Sequence, residues 1–158
     1  MDFMLDINIP SPQQKINYHD PVMLVGSCFT EHIGNTLEEL KFDILQNPNG
    51  ILFDPISVAT SLSSYVQHKK YQAEDLFYLN ELWQSWQHHS IFSGPDKEQC
   101  LRNINHSQDK AHEFLKKAKW LIITLGSSFS YRLTETTPHS FRRGAGGEVA
   151  NCHRAPAQ

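Results

Sequence analysis

Val22-Met23-Leu24-Val25-Gly26-Ser27-Cys28-Phe29-Thr30-Glu31-His32-Ile33-Gly34 is the stretch whose reading decides the fold. Four apolar residues between Pro21 and Gly26 predict a short buried strand. Ile33, Leu37 and Leu40 then recur at i, i+4 and i+7, the stripe of an amphipathic helix over 29–41. Gly26-Ser27-Cys28 lies between the two. A strand that turns through glycine into a helix presents a side chain at its end, and the free N–H groups of the first helical turn suit an oxyanion. Cys28 falls in that turn, where the positive end of the helix dipole favours an anion. Ser27 is read either as a nucleophile or as an N-cap, and Cys28 either as a nucleophile or as a small buried hydrophobe.

Working outward, Phe42-Asp43-Ile44-Leu45 predicts a second strand, ended by the turn Asn47-Pro48-Asn49-Gly50. Asp54 and Pro55 predict an N-cap and first position for a helix to about His68. Residues 71–93 carry aromatics and turn residues, a pattern for a hairpin or an irregular insertion. Trp83, Trp86, His88 and His89 there are read as core or as the lining of a sugar-facing cleft. Gly94-Pro95-Asp96 opens a long helix to about Lys119, with Leu101, Ile104, Ala111, Phe114, Leu115 and Ala118 as its buried stripe. Trp120-Leu121-Ile122-Ile123-Thr124-Leu125 reads as a central parallel strand. An edge strand is expected near residues 3–9 and a last strand at Glu148-Val149-Ala150, after a flexible loop at 144–147. Helices between the strands predict a parallel, helix-covered α/β sheet. Ligands of such sheets sit beyond the carboxyl ends of the strands, where both Cys28 and Ser127 fall.

Composition narrows the function. The chain has 158 residues, enough for one domain with a core, and a net charge of −3, so no nucleic-acid partner is expected. No apolar run approaches the roughly 20 residues of a membrane span, and the amino terminus lacks a signal-peptide pattern, so a cytoplasmic protein with no membrane partner is expected. Cys28, Cys100 and Cys152 make no CxxC and no even framework. The nine histidines are scattered, so neither metal nor cofactor is expected.

Gly26-Ser27-Cys28-Phe29-Thr30 resembles the signature of the GSCFA family. Asn47-Pro48-Asn49-Gly50-Ile51-Leu52-Phe53-Asp54-Pro55, Leu125-Gly126-Ser127-Ser128-Phe129 and Val149-Ala150-Asn151-Cys152-His153-Arg154-Ala155-Pro156 agree with it, in order. Thr30 stands where the signature has alanine. That family is similar to the SGNH/GDSL hydrolases, which implies a three-layer α/β/α fold with a mostly parallel central sheet and cleavage of small acyl esters, on a small-molecule or glycan ester substrate. The resemblance implies a lead-in at 1–21 and the family domain at 22–158, read as its N-terminal portion with the C-terminal part missing.

The same resemblance assigns roles. Register places Cys28 at the nucleophile position, while residue type favours Ser27. His153 is read either as a base or as a structural residue, and no Asp-x-x-His follows Gly126. Gly50 matches the glycine that donates an oxyanion N–H, and its other reading is a turn residue. Phe29, Asn49, Gly126, Ser127, Ser128 and Asn151 complete the expected oxyanion and substrate-binding set, with Ser128 replacing an asparagine. Two functions are open: an esterase or acyl hydrolase, and a non-catalytic relative that binds a glycan or acyl ligand.

Overall fold

A computed structural model describes residues 10–132 and 153–156. The expected strand near 3–9, the loop at 144–147, the strand at 148–150, Asn151 and Cys152 lie outside the described residues.

Strand β1 (Val22–Gly26) leads into helix α1 (Cys28–Glu39), and β2 (Ile44–Gln46) follows. Helix α2 (Pro55–Val66) begins as its first residues dictate: Asp54 accepts a hydrogen bond from the Ser57 N–H at 2.9 Å, and Pro55 takes the first position, where no N–H is needed. The aromatic segment is a hairpin, β3 (Phe77–Leu79) and β4 (Leu82–Gln84). Its connecting residues Asn80 and Glu81 both have positive φ, the backbone of a type I′ turn. Asp96 caps helix α3 (Lys97–Lys117) through the Gln99 N–H, and Lys116 and Lys117 occupy its last turn. Strand β5 (Trp120–Thr124) follows, and β6 (Phe129–Arg132) pairs antiparallel with β7 (His153–Pro156).

β1 stands in the middle of a parallel sheet of order β2-β1-β5. The chain is therefore α/β, with, among the described residues, one helix on one sheet face and two on the other. Met23 and Val25 pack with Val58 and Tyr65 of α2 and Ala111 and Phe114 of α3. Thr124, in register with Gly26 on the opposite face, bonds to Thr30 of α1. A second cluster of Tyr71, Leu76, Cys100 and Ile104, with Trp83, Phe92 and Leu101 against it, ties the hairpin to α3.

Three expectations need correction. β5 is not central: among the described residues it is the sheet edge, and Leu121 and Ile123 are 44% and 46% exposed because α2 and α3 lie over β1 instead. The buried residues of α1 are Thr30 and Gly34, whereas Leu40, expected on its apolar stripe, caps the helix end and is exposed. Cys100 and Gln108 join the buried face of α3, while Leu101, Leu115 and Ala118 only flank it. Among the described residues no helix is long and apolar enough to cross a membrane.

Candidate functional site

The site grows from the carboxyl end of β1. Gly26 has φ +146°, and a Cβ there would lie 1.9 Å from the Thr124 carbonyl oxygen, so only glycine lets β1 turn this close to β5. The following residue is the N-cap of α1 by position, yet its side chain makes no capping bond. Instead Ser27 is buried and its Oγ shares a hydrogen bond with Thr124 Oγ1 at 2.9 Å. The Ser27 N–H donates to Thr124, and Thr30 Oγ1 lies 2.5 Å from the same hydroxyl. Thr124 thus fixes the turn from the neighbouring strand, and it removes Ser27 from the surface.

Cys28 has the opposite setting. It is the first residue of α1, its thiol is free and exposed, and Phe29 beside it is exposed as well. The N–H groups of Cys28 and Phe29 precede the first intrahelical bond and have no protein partner among the described residues. The other described cysteine makes the contrast plain. Cys100 is buried, donates to the Phe92 carbonyl at 3.0 Å, and burial pushes its thiol up from the ordinary range.

The loop after β2 closes over the sheet end. Asn47 Oδ1 accepts from the Gly26 N–H at 2.8 Å, and the Leu52 N–H donates to the Gly26 carbonyl at 2.9 Å. The Phe53 carbonyl then accepts from both Gly126 and Ser127 N–H, at 2.9 and 3.0 Å. A Cβ on Gly126 would meet the Phe53 ring at 2.8 Å and Ser27 Cβ at 3.4 Å, so the two strand ends and this loop form one surface. Ser27, Cys28, Phe29, Gly126 and Ser127 are brought together as the α/β topology implies. Ser128 is exposed on the same connection, and Ser127 Oγ accepts from the Phe129 N–H at 3.1 Å.

Gly50 and Asn49 have other duties in this geometry. Gly50 has φ +80° and gives its N–H to the Asn47 carbonyl at 2.7 Å, so an oxyanion role there requires that bond to break. Asn49 is buried, with Nδ2 donating to the Gln87 carbonyl at 3.2 Å and its own carbonyl accepting from the His89 N–H. It anchors the segment after the hairpin. His153 opens β7 opposite Arg132. Trp83 and His88 do not line an open cleft. Trp83 packs on the hairpin cluster, and His88 is largely enclosed, with burial lowering its imidazole to about 4. Trp86 alone of the expected aromatic lining stands out, 67% exposed and stacked on Phe77 at 4.2 Å. Thr124 and Phe53 were not legible as site residues. The signal for Thr124 is its place as the polar end of an apolar strand.

The family model of the GSCFA family matches residues 21–158, so it takes in every part of this surface. The chain belongs to the GSCFA family. No curated protein and no solved structure matches the chain. The GSCFA signature therefore sits on a parallel-strand end in which its serine is held inside and its cysteine faces out.

Proposed function

We propose that this GSCFA-family chain is an acyl hydrolase that cleaves an ester of a small molecule or glycan through the Cys28 thiol. The observation that carries the reading is the exposed thiol at the first helical position beside the unpartnered N–H groups of Cys28 and Phe29. In this reading the thiolate attacks the ester carbonyl, and the Cys28 and Phe29 N–H groups hold the negative charge that develops on its oxygen. Ser27 keeps the turn in shape through Thr124, and Ser127 and Ser128 offer hydroxyls to the substrate. The acyl chemistry needs no cofactor, and the chain is placed in the cytoplasm, where free thiols persist.

The test is intact mass after brief exposure to p-nitrophenyl acetate, followed by peptide mapping. An acetyl adduct on Cys28, absent in Cys28→Ala, is the expected result. An adduct that survives Cys28→Ala and maps to Ser27 moves the nucleophile, and no adduct on either residue ends the hydrolase reading. One observation favours the second reading, a glycan-binding relative: the exposed, stacked Trp86 offers a flat face to a sugar ring. Quenching of tryptophan fluorescence by soluble oligosaccharides, lost in Trp86→Ala, is its signature.

A further inference from the structure

A thiol nucleophile needs a group that takes its proton, and an imidazole lies one turn along the same helix. Cys28 opens α1 and His32 follows four residues later, so the two share a helix face with Cβ atoms about 6 Å apart. Helical side chains lie back over the turn on their amino-terminal side. The i, i+4 spacing puts the His32 ring within rotamer reach of the Cys28 thiol. Both residues are exposed.

The His32 ring is also uncommitted. Among the described residues no hydrogen bond, ion pair or ring contact engages it, and its one tie is through the backbone, where its carbonyl accepts from Thr36 Oγ1 at 3.0 Å. Four other histidines have hydrogen-bond partners: His68 on Asp109, His112 on the Tyr65 carbonyl, His88 on Ser85 and His89 on the Ile91 N–H. The strands on which α1 packs, VMLVG, ILQ and WLIIT, bring no ionisable side chain toward it. The charges along α1 itself are Glu31, Glu38 and Glu39.

We propose that His32 is the proton acceptor of Cys28, a role that rests on the acyl-transfer reading of this site. The neutral imidazole takes the thiol proton, and the thiolate sulfur forms a bond to the ester carbonyl carbon. Collapse of the tetrahedral intermediate breaks the carbon–oxygen bond, and the imidazolium returns the proton to the leaving alkoxide. Water then attacks the thioester with its proton passing to His32, the carbon–sulfur bond breaks, the imidazolium returns that proton to the departing sulfur, and the acid is released.

Two measurements on the full chain separate the pair from the reaction. Alkylation of Cys28 by iodoacetamide, followed by peptide mapping between about pH 5 and 9, reads the thiolate alone. The wild-type profile is expected to carry a step that the imidazole confers. His32→Gln loses that step and slows alkylation at pH 7 about tenfold, while buried Cys100 stays slow in both and certifies the fold. Acetylation by p-nitrophenyl acetate reads the chemistry: His32→Gln slows it about 100-fold, and free imidazole restores the rate in His32→Ala. Identical alkylation profiles in wild type and His32→Gln overturn the pairing. A profile that does depend on His32, in a chain that forms no acetyl adduct, keeps the pairing and overturns the acyl-transfer reading instead.

Discussion

β1 and β5 lie side by side, parallel and in register from Val22 against Trp120 to Gly26 against Thr124. Both are five-residue strands that begin with four apolar residues. Yet Val22, Met23, Leu24 and Val25 are all 0% exposed, whereas Leu121 and Ile123 keep nearly half their surface in solvent. Register puts Met23 and Leu121 on the same face of the sheet, so the strand surface is alike and only the cover differs. Val58, Tyr65, Ala111 and Phe114 lie over β1. An apolar run thus marks a strand fit to be buried, and the helices crossing it decide which one is.

The largest effect on this pairing is expected where the strands come closest. Gly26→Ala drives a methyl group into the Thr124 carbonyl, at a backbone angle that side chains rarely adopt. A loss of about 3–5 kcal/mol is expected from overpacking and backbone strain together. Urea unfolding reads it directly, and a loss under 1 kcal/mol means that the two strand ends are not held this tightly.

Next come truncations at the in-register pair. Met23→Ala empties a packed position and is expected to cost about 3 kcal/mol. Leu121→Ala removes a half-solvated side chain and is expected to cost about 1 kcal/mol. Equal losses mean that β5 has a cover of its own and dissolve the contrast.

How much of this was legible follows from the range of each signal. Local patterns were enough for both strands, for the Asp54-Pro55 and Asp96 helix starts, and for the turn at Gly26, because each depends on neighbours within one turn of chain. The central placement of β5 was misread because cover is a long-range property, set by where α2 and α3 cross the sheet. That Ser27 is buried and Cys28 exposed was not legible in their spacing. It turns on Thr124, 97 residues away from Ser27, whose hydroxyl holds the serine inward. Gly50 was read both as a turn glycine and as an oxyanion donor; its φ of +80° fits the turn, and the partner of its N–H, the Asn47 carbonyl, was invisible in the sequence.

Thr124→Val probes that hub with little change of shape. The buried hydroxyls of Ser27 and Thr30 lose their common partner, and a loss of about 2 kcal/mol is expected. Acetylation by p-nitrophenyl acetate still maps to Cys28 if the thiol owes its exposure to the helix start. A shift of the adduct to Ser27 shows that Thr124 alone decides between the two residues.

The smallest expected effect lies at the other end of the same pair of strands. Just before β1, buried Asp20 accepts from Lys119 Nζ at 2.9 Å, from the Asn17 N–H at 3.0 Å and from Trp120 Nε1 at 3.3 Å, which ties the chain entering β1 to the start of β5. The Lys119 bond first, then the Asn17 N–H, holds the Asp20 carboxyl well below the usual carboxylate range. Because the folded value lies below the unfolded one, both states are ionised near neutrality and the full contribution is present there. As the pH falls below about 4 the unfolded chain takes up a proton that the folded chain refuses, and stability drains away toward the folded value. Asp20→Asn removes this dependence. The gap in urea midpoint between wild type and Asp20→Asn should therefore be widest near pH 7 and narrow steadily through about pH 4 and below. A gap that stays constant with pH identifies the amino-end tie as one of shape and neutral hydrogen bonds, and leaves charge out of what joins β1 to β5.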